Sequence, residues 1–163
     1  MVYLRKPALG DLHEIMFAYA RSLSIHHPWV CAPSDFNSYL QQEGRYFLCK
    51  RGTNEIIGTF NISGIIRGNF QSAYLGYEVF HPHHGKGHMR SGLALLLKEA
   101  FDVLNLHRLE ANVQPENAAS IALVAKAGFV KEGFSRNYLR IGGVEWKDHE
   151  RWAIVNEAWQ PRD

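Results

Sequence analysis

Cysteine is nearly absent from this chain: Cys31 and Cys49 are the only two among 163 residues. Their spacing fits neither a metal site nor a redox motif, and a chain of this length needs no disulfide framework. Net charge is equally scarce. Eighteen basic and sixteen acidic side chains leave a formal charge of +2, which excludes a protein held to nucleic acid or membrane by bulk electrostatics. No apolar run approaches the length of a membrane span, and the opening residues, MVYLRKPALGDL, carry no signal-peptide core. There is no internal repeat, low-complexity stretch or linker. These absences predict one soluble cytoplasmic domain over residues 1–163, with no nucleic-acid or membrane partner. Its apolar content, 46%, is enough for a proper core.

What is present reads as α+β. Val2 to Leu4 suggests a first strand, ended by Pro7. Leu12, Ile15, Met16, Tyr19 and Leu23 recur at helical spacing behind Asp11, which predicts a helix over about 11–23 with Asp11 as N-cap. Ser34 is the expected cap of a second short helix, DFNSYLQQE, ending at Gly44. Arg45 to Lys50, Glu55 to Ile66 and Gln71 to Phe80 are predicted strands of an antiparallel meander. Met89, Leu93, Leu96, Leu97, Ala100, Phe101 and Leu104 trace one face of a long central helix. A strand at Arg108 to Val113 follows. Next comes a helix over Asn117 to Ala127, closed by Gly128. The end reads as a hairpin, Phe129 to Ile141 and Val144 to Ile154 about Gly142-Gly143, with Trp146 and Trp152 available to cover a sheet face.

Chemistry concentrates in YLGYEVFHPHHGKGHMR, residues 74 to 90. A strand breaks there into a glycine turn that opens straight into the central helix. Gly85 and Gly87 let the backbone turn tightly, and the helix start supplies unpaired N–H groups and a positive dipole end, a natural phosphate or pyrophosphate site. A Walker A loop would need Lys then Ser or Thr after the second glycine, where His88 and Met89 stand. A dinucleotide fingerprint would need glycine at 90, which is Arg. The histidines at 81, 83, 84 and 88 are crowded, but the adjacent pair cannot converge on one ion and no cysteine joins them, so no metal is expected.

The order LGYEVF, HGKGHM, LHRLEANVQPENAAS, GFVKEGF and an IGG hairpin followed by W-x-D at Trp146 and Asp148 resembles the GCN5-related N-acetyltransferases. The likeness is closest to the branch that acetylates N-terminal alanine or serine of ribosomal proteins, and it covers nearly the whole chain. It implies a mixed, largely antiparallel sheet flanked by helices and splayed at its middle, with acetyl-CoA wedged into the opening. The implied acetyl-CoA contacts are Val79, His84, Gly85, Lys86, Gly87, His88, Met89, Asn117 and Ser120. Two positions depart from the family loop. Pro82 stands three residues before Gly85, and His84 occupies a place where relatives often carry Arg or Gln, so a titrating group replaces a fixed charge.

The resemblance also implies direct attack of an amine on the thioester in a ternary complex. Ser120, in the N-x-x-S run that begins at Asn117, would lie near the departing sulfur, and a strand N–H near Glu78 and Val79 would face the carbonyl oxygen. The strand glutamate that some relatives use as a base has no counterpart among Asn137 to Arg140. Glu78 is the leading substitute, with Tyr138 a further candidate acid or base. The acceptor is expected to be a protein or peptide N-terminus. The alternatives are a small amine (polyamine, amino acid or antibiotic) or a non-catalytic acyl-CoA-binding module. The acceptor cleft would be lined by the 24–36 loop and the hairpin around 138–146.

Overall fold

The computed structural model describes residues 1–162. Strands β1 (Val2–Arg5), β2 (Arg45–Lys50), β3 (Ile56–Ile66), β4 (Ser72–Val79), β5 (Arg108–Val113), β6 (Val130–Ile141) and β7 (Glu145–Val155) form one sheet in the order β1-β2-β3-β4-β5-β7-β6. Every neighbouring pair is antiparallel except β4 and β5. The parallel pair exists because the chain leaves β4, crosses the sheet through a helix and returns beside it, as a parallel connection requires. The predicted meander is β2–β3–β4, with β1 added to its edge.

Helices cover both faces. On one face lie α1 (Leu12–Ala20), α2 (Leu23–His26) and α3 (Phe36–Leu40). There Ile15, Tyr19, Tyr39 and Leu40 close over Phe47, Cys49, Ile56 and Phe80. On the other lie α4 (His88–Lys98) and α5 (Ala118–Lys126), and Leu93, Leu96 and Val124 pack on Leu48, Phe60, Leu75, Leu109 and Ala111. Strand alternation sends successive residues to these two cores, so each strand residue near the centre is committed to one side or the other.

Several local expectations are corrected. Asp11 stands at the N-cap position of α1 as expected, but its side chain makes no capping bond to that helix. Its carboxylate is held by the two terminal guanidinium nitrogens of Arg5 at 2.8 Å and accepts from the Ala8 N–H at 2.7 Å, so a charged partner outcompetes the α1 N-terminus for it. The predicted 11–23 helix is two, because the chain turns at Arg21 and Ser22 before α2. Asp35 rather than Ser34 caps α3, accepting from the N–H groups of Asn37 and Ser38. That helix stops at Leu40, well short of Gly44. The central helix is α-helical only to Lys98 and continues through a π turn over Glu99–Val103. Trp152 does cover the main core, whereas Trp146 is 56% exposed with the Arg140 guanidinium 5.9 Å from its ring centre.

Candidate active site

The sheet is open where its parallel pair ends. Strands β4 and β5 are in register only from Ser72 opposite Arg108 to Leu75 opposite Ala111. Beyond that, Gly76–Val79 pair with β3 alone and Asn112–Val113 with β7 alone. The direction of the free backbone groups follows from the ladder. Gly58 stands opposite Val79, and the Phe80 N–H donates to the Ile57 carbonyl at 2.9 Å. In an antiparallel ladder that bond makes Tyr77 and Val79 the residues whose N–H and C=O point away from β3, into the opening. The Val79 carbonyl already has a partner, His26 Nε2, at 2.8 Å.

The side chains along this edge face opposite ways. Tyr77 turns to the α4–α5 side, where its hydroxyl forms a short hydrogen bond with Ser120 Oγ. Ser120 sits in the first turn of α5. Its N–H is capped at 3.2 Å by the Asn117 side-chain oxygen, so capping is done by Asn117 and the serine hydroxyl is left for Tyr77. Burial pushes the Tyr77 phenol up to about 12. Glu78 turns to the α1–α3 side, beneath Tyr19 (Oη to Oε2, 3.3 Å) and Tyr39. Burial raises its carboxyl above the usual range, the nearby Arg45 and the Tyr19 hydrogen bond opposing that rise without cancelling it. Arg45 is itself buried, bonded to Gln42 and Thr59 and lying 4.0 Å from the Tyr39 ring centre.

The glycine turn lies just past the end of β4. Gly85 (φ 71°) and Gly87 (φ 78°) are left-handed, as only glycine adopts freely, and a Cβ on either would meet no atom within 4 Å. Gly87 is the residue before α4. The loop is therefore an open surface ending on a helix N-terminus. His84 and Lys86 are exposed there, and His88 opens the helix. The Met89 side chain instead packs on the main core, which leaves only its backbone at the loop. His83 faces inward, its Nε2 2.9 Å from Glu55 Oε1. That hydrogen bond holds the Glu55 carboxyl below its ordinary value. Among the described residues, no three His, Cys, Asp or Glu side chains gather as a metal site would need. No helix among them is long and apolar enough to cross a membrane.

Two loops flank the α1–α3 side. Gly142, at the tip of the β6–β7 hairpin, lies so close to Cys31 that a Cβ there would come within 2.7 Å of its Sγ. The 24–36 loop and the hairpin thus meet. Tyr138 is on β6, 6.3 Å ring to ring from His149. Its phenol is raised by burial and by the neighbouring Tyr74 and Glu110, a setting apart from the groups around Glu78. Sequence reasoning overlooked His26, Tyr77, Tyr19 and Arg45. Each becomes visible only through a partner 14 or more positions away.

Residues 2–130 match the model of the acetyltransferase (GNAT) domain. The chain belongs to the GNAT acetyltransferase family. It is an N-acetyltransferase of the mixed, largely antiparallel open-sheet fold of that family. Over 93% of its length this acetyltransferase is 34% identical to the [ribosomal protein uS5]-alanine N-acetyltransferase of Escherichia coli, 86% of which is covered. Its structure is similar to that of Mycobacterium smegmatis RimJ in complex with CoA-disulfide, with a TM-score of 0.86 and 26% identity over 99% of this chain and 85% of the other. It is also 27% identical to the spermidine N(1)-acetyltransferase of Vibrio cholerae, over 78% of this chain and 73% of that one. The family takes its acetyl group from acetyl-CoA.

Proposed function

We propose that this acetyltransferase transfers the acetyl group of acetyl-CoA to the α-amine of a peptide or protein N-terminus, by direct attack within a ternary complex. The observation that carries the proposal is the opening between Gly76–Val79 and Asn112–Val113, because it joins two chemically different sides of the sheet. The pyrophosphate of acetyl-CoA rests against the backbone of residues 84–89, where open glycines and the start of α4 present N–H donors. The pantetheine arm enters the opening beside Asn117 and Ser120. The thioester carbonyl then lies against the Val79 N–H, a donor fixed before the charge develops.

The amine approaches from the α1–α3 side. Its nitrogen attacks the carbonyl carbon, the C–N bond forms, and negative charge moves to the oxygen facing Val79. As the carbonyl re-forms, the C–S bond breaks and the electron pair stays on sulfur, within reach of the Ser120 hydroxyl. The ammonium proton is taken by Glu78, directly or through one water. A carboxylate whose affinity for protons has been raised by burial is a better base than a solvated one. A terminal α-amine, with a pKa near 8, also needs less help than a lysine.

The meeting of the 24–36 loop with the hairpin at Cys31 and Gly142 favours the terminus over a polycation, since two loops in contact would wall one flank of the acceptor cleft and suit a chain end entering point-first. The likeness to the uS5-alanine enzyme agrees with this choice. The likeness to the spermidine enzyme is the specific observation behind the second reading, a polyamine acceptor. Rates across free Ala- and Ser-terminal peptides, N-terminally blocked Lys peptides and spermidine decide between them. Faster turnover of blocked peptides or spermidine overturns the N-terminal assignment and leaves the acetyl transfer intact.

A further inference from the structure

Tyr77 belongs to neither the glycine loop nor the N-x-x-S run, yet its hydroxyl meets the Ser120 hydroxyl inside the main core wall. The contact joins β4 at the edge of the opening to the first turn of α5, 43 positions away. A serine hydroxyl has one proton and can point it in several directions. Of the two Ser120 oxygens near Tyr77 Oη, the hydroxyl is much the nearer and the carbonyl is 3.5 Å away, while the Asn117 side-chain oxygen already accepts from the Ser120 N–H. We infer that Tyr77 is a positioning residue for acetyl transfer: by donating to Ser120 Oγ, it turns the Ser120 O–H outward to the departing sulfur. The inference rests on the proposed part of Ser120.

Magnitudes decide what the pair does. The Tyr77 phenol is pushed up to about 12 by burial, the bond to Ser120 partly offsetting this, whereas an ordinary thiol ionises near 8.5. Passing the tyrosine proton to the thiolate would therefore be uphill by several pKa units. The pair accordingly stabilises the sulfur by hydrogen bonding. Both protons stay on oxygen, and the thiolate leaves as the anion or is protonated by water. A donor that is itself a hydrogen-bond acceptor is polarised, so the chain Tyr77–Ser120–sulfur is stronger than Ser120 alone. The phenol also remains protonated across the neutral range, so the arrangement needs no pH adjustment.

The test is a double-mutant cycle on the full chain with acetyl-CoA and an Ala-terminal peptide. Tyr77→Phe keeps the ring that lies 6.1 Å from Phe60 and removes only the hydroxyl. It is expected to lower kcat roughly ten-fold with the KM for acetyl-CoA nearly unchanged, and Ser120→Ala to lower kcat by roughly ten- to a thousand-fold. The double variant should be no slower than Ser120→Ala, because Tyr77 acts through the serine. Losses that multiply overturn the inference. So does a full-rate Tyr77→Phe beside an impaired Ser120→Ala, which leaves the proposed role of Ser120 standing. A full-rate Ser120→Ala removes both. Should Tyr77→Phe lose its fold, difluorotyrosine at 77 preserves the shape with a more acidic phenol. It is expected to add an alkaline fall in kcat absent from the natural enzyme, and a flat profile there overturns the inference.

Discussion

Tyr77 and Glu78 are consecutive in the chain and opposite in environment. Burial raises both, but Tyr77 faces one neutral hydroxyl at the start of α5, whereas Glu78 faces two tyrosines and a buried arginine beneath α1–α3. The two-residue period of a strand is what separates them. On the proposed mechanism, Tyr77 would act through Ser120 on the side of the leaving sulfur and Glu78 on the side of the arriving amine, with the opening in the sheet as the passage between. If those roles hold, strand alternation is enough to keep proton acceptance and thiolate stabilisation on opposite faces of the sheet.

The largest effect is expected at Glu78. Glu78→Gln is expected to cost roughly a hundred-fold or more in kcat, the scale of losing a general base, while leaving acetyl-CoA binding by calorimetry unchanged. In the natural enzyme kcat/KM should rise with pH through the raised carboxyl value, and the variant should lose that limb. Stability gives an independent sign. A carboxyl whose folded pKa lies above its unfolded one favours folding in its protonated form, so its ionisation penalises the fold as pH climbs past the usual carboxylate range. Thermal melts should therefore show Glu78→Gln more stable than the natural chain at neutral pH, with the difference shrinking in acid. An equal or lower melting temperature at pH 7 would mean that Arg45 outweighs desolvation.

On the opposite side, Gly87→Val should weaken acetyl-CoA binding by roughly ten-fold, about the contribution of a helix N-terminus to a bound anion. Calorimetry should register it, and the KM for the peptide should not move. A change in both would show that the two sides are not independent. The smallest effect is expected at the edge they share. His26→Ala frees the Val79 carbonyl, and kcat should fall by roughly three- to ten-fold, because the end of β4 that carries the Val79 N–H loses an anchor. His26→Gln, which keeps an N–H donor, should recover part of the rate.

The loop and the strand–helix succession were legible because their signals are local: glycine pairs, a 3.6-residue apolar period, strand alternation. The opening became an expectation only through family resemblance, since nothing in LGYEVF says that its pairing with Arg108–Val113 stops at Leu75. Asp11 misled because its competitor, Arg5, lies on another element. Asp35 was passed over for Ser34 because two good capping residues stood side by side. Ser120 stands out in the sequence, but its hydrogen-bond partner Tyr77 does not. A tyrosine in an apolar strand looks like packing until the crossover through α4 and β5 delivers α5 beside it. His26 was hidden in the same way, as a loop-flanking histidine whose purpose depends on the far end of β4.

Among the described residues, four of β4 are paired with β5, Ser72 to Leu75 against Arg108 to Ala111, and that short seam is the ladder that ties the β1–β4 half of the sheet to the β5–β7 half. A molecule held between Gly76–Val79 and Asn112–Val113 would supply the missing rungs. Acetyl-CoA bound as proposed would then be a structural member as well as a reagent. Its arrival would lengthen the seam and its departure as CoA would loosen it, so the enzyme is expected to be stiffest when it is loaded. Amide hydrogen exchange would register this as slowing at Tyr77 and Val79, whose N–H groups face the opening, with little change at Glu78, already bonded across to β3.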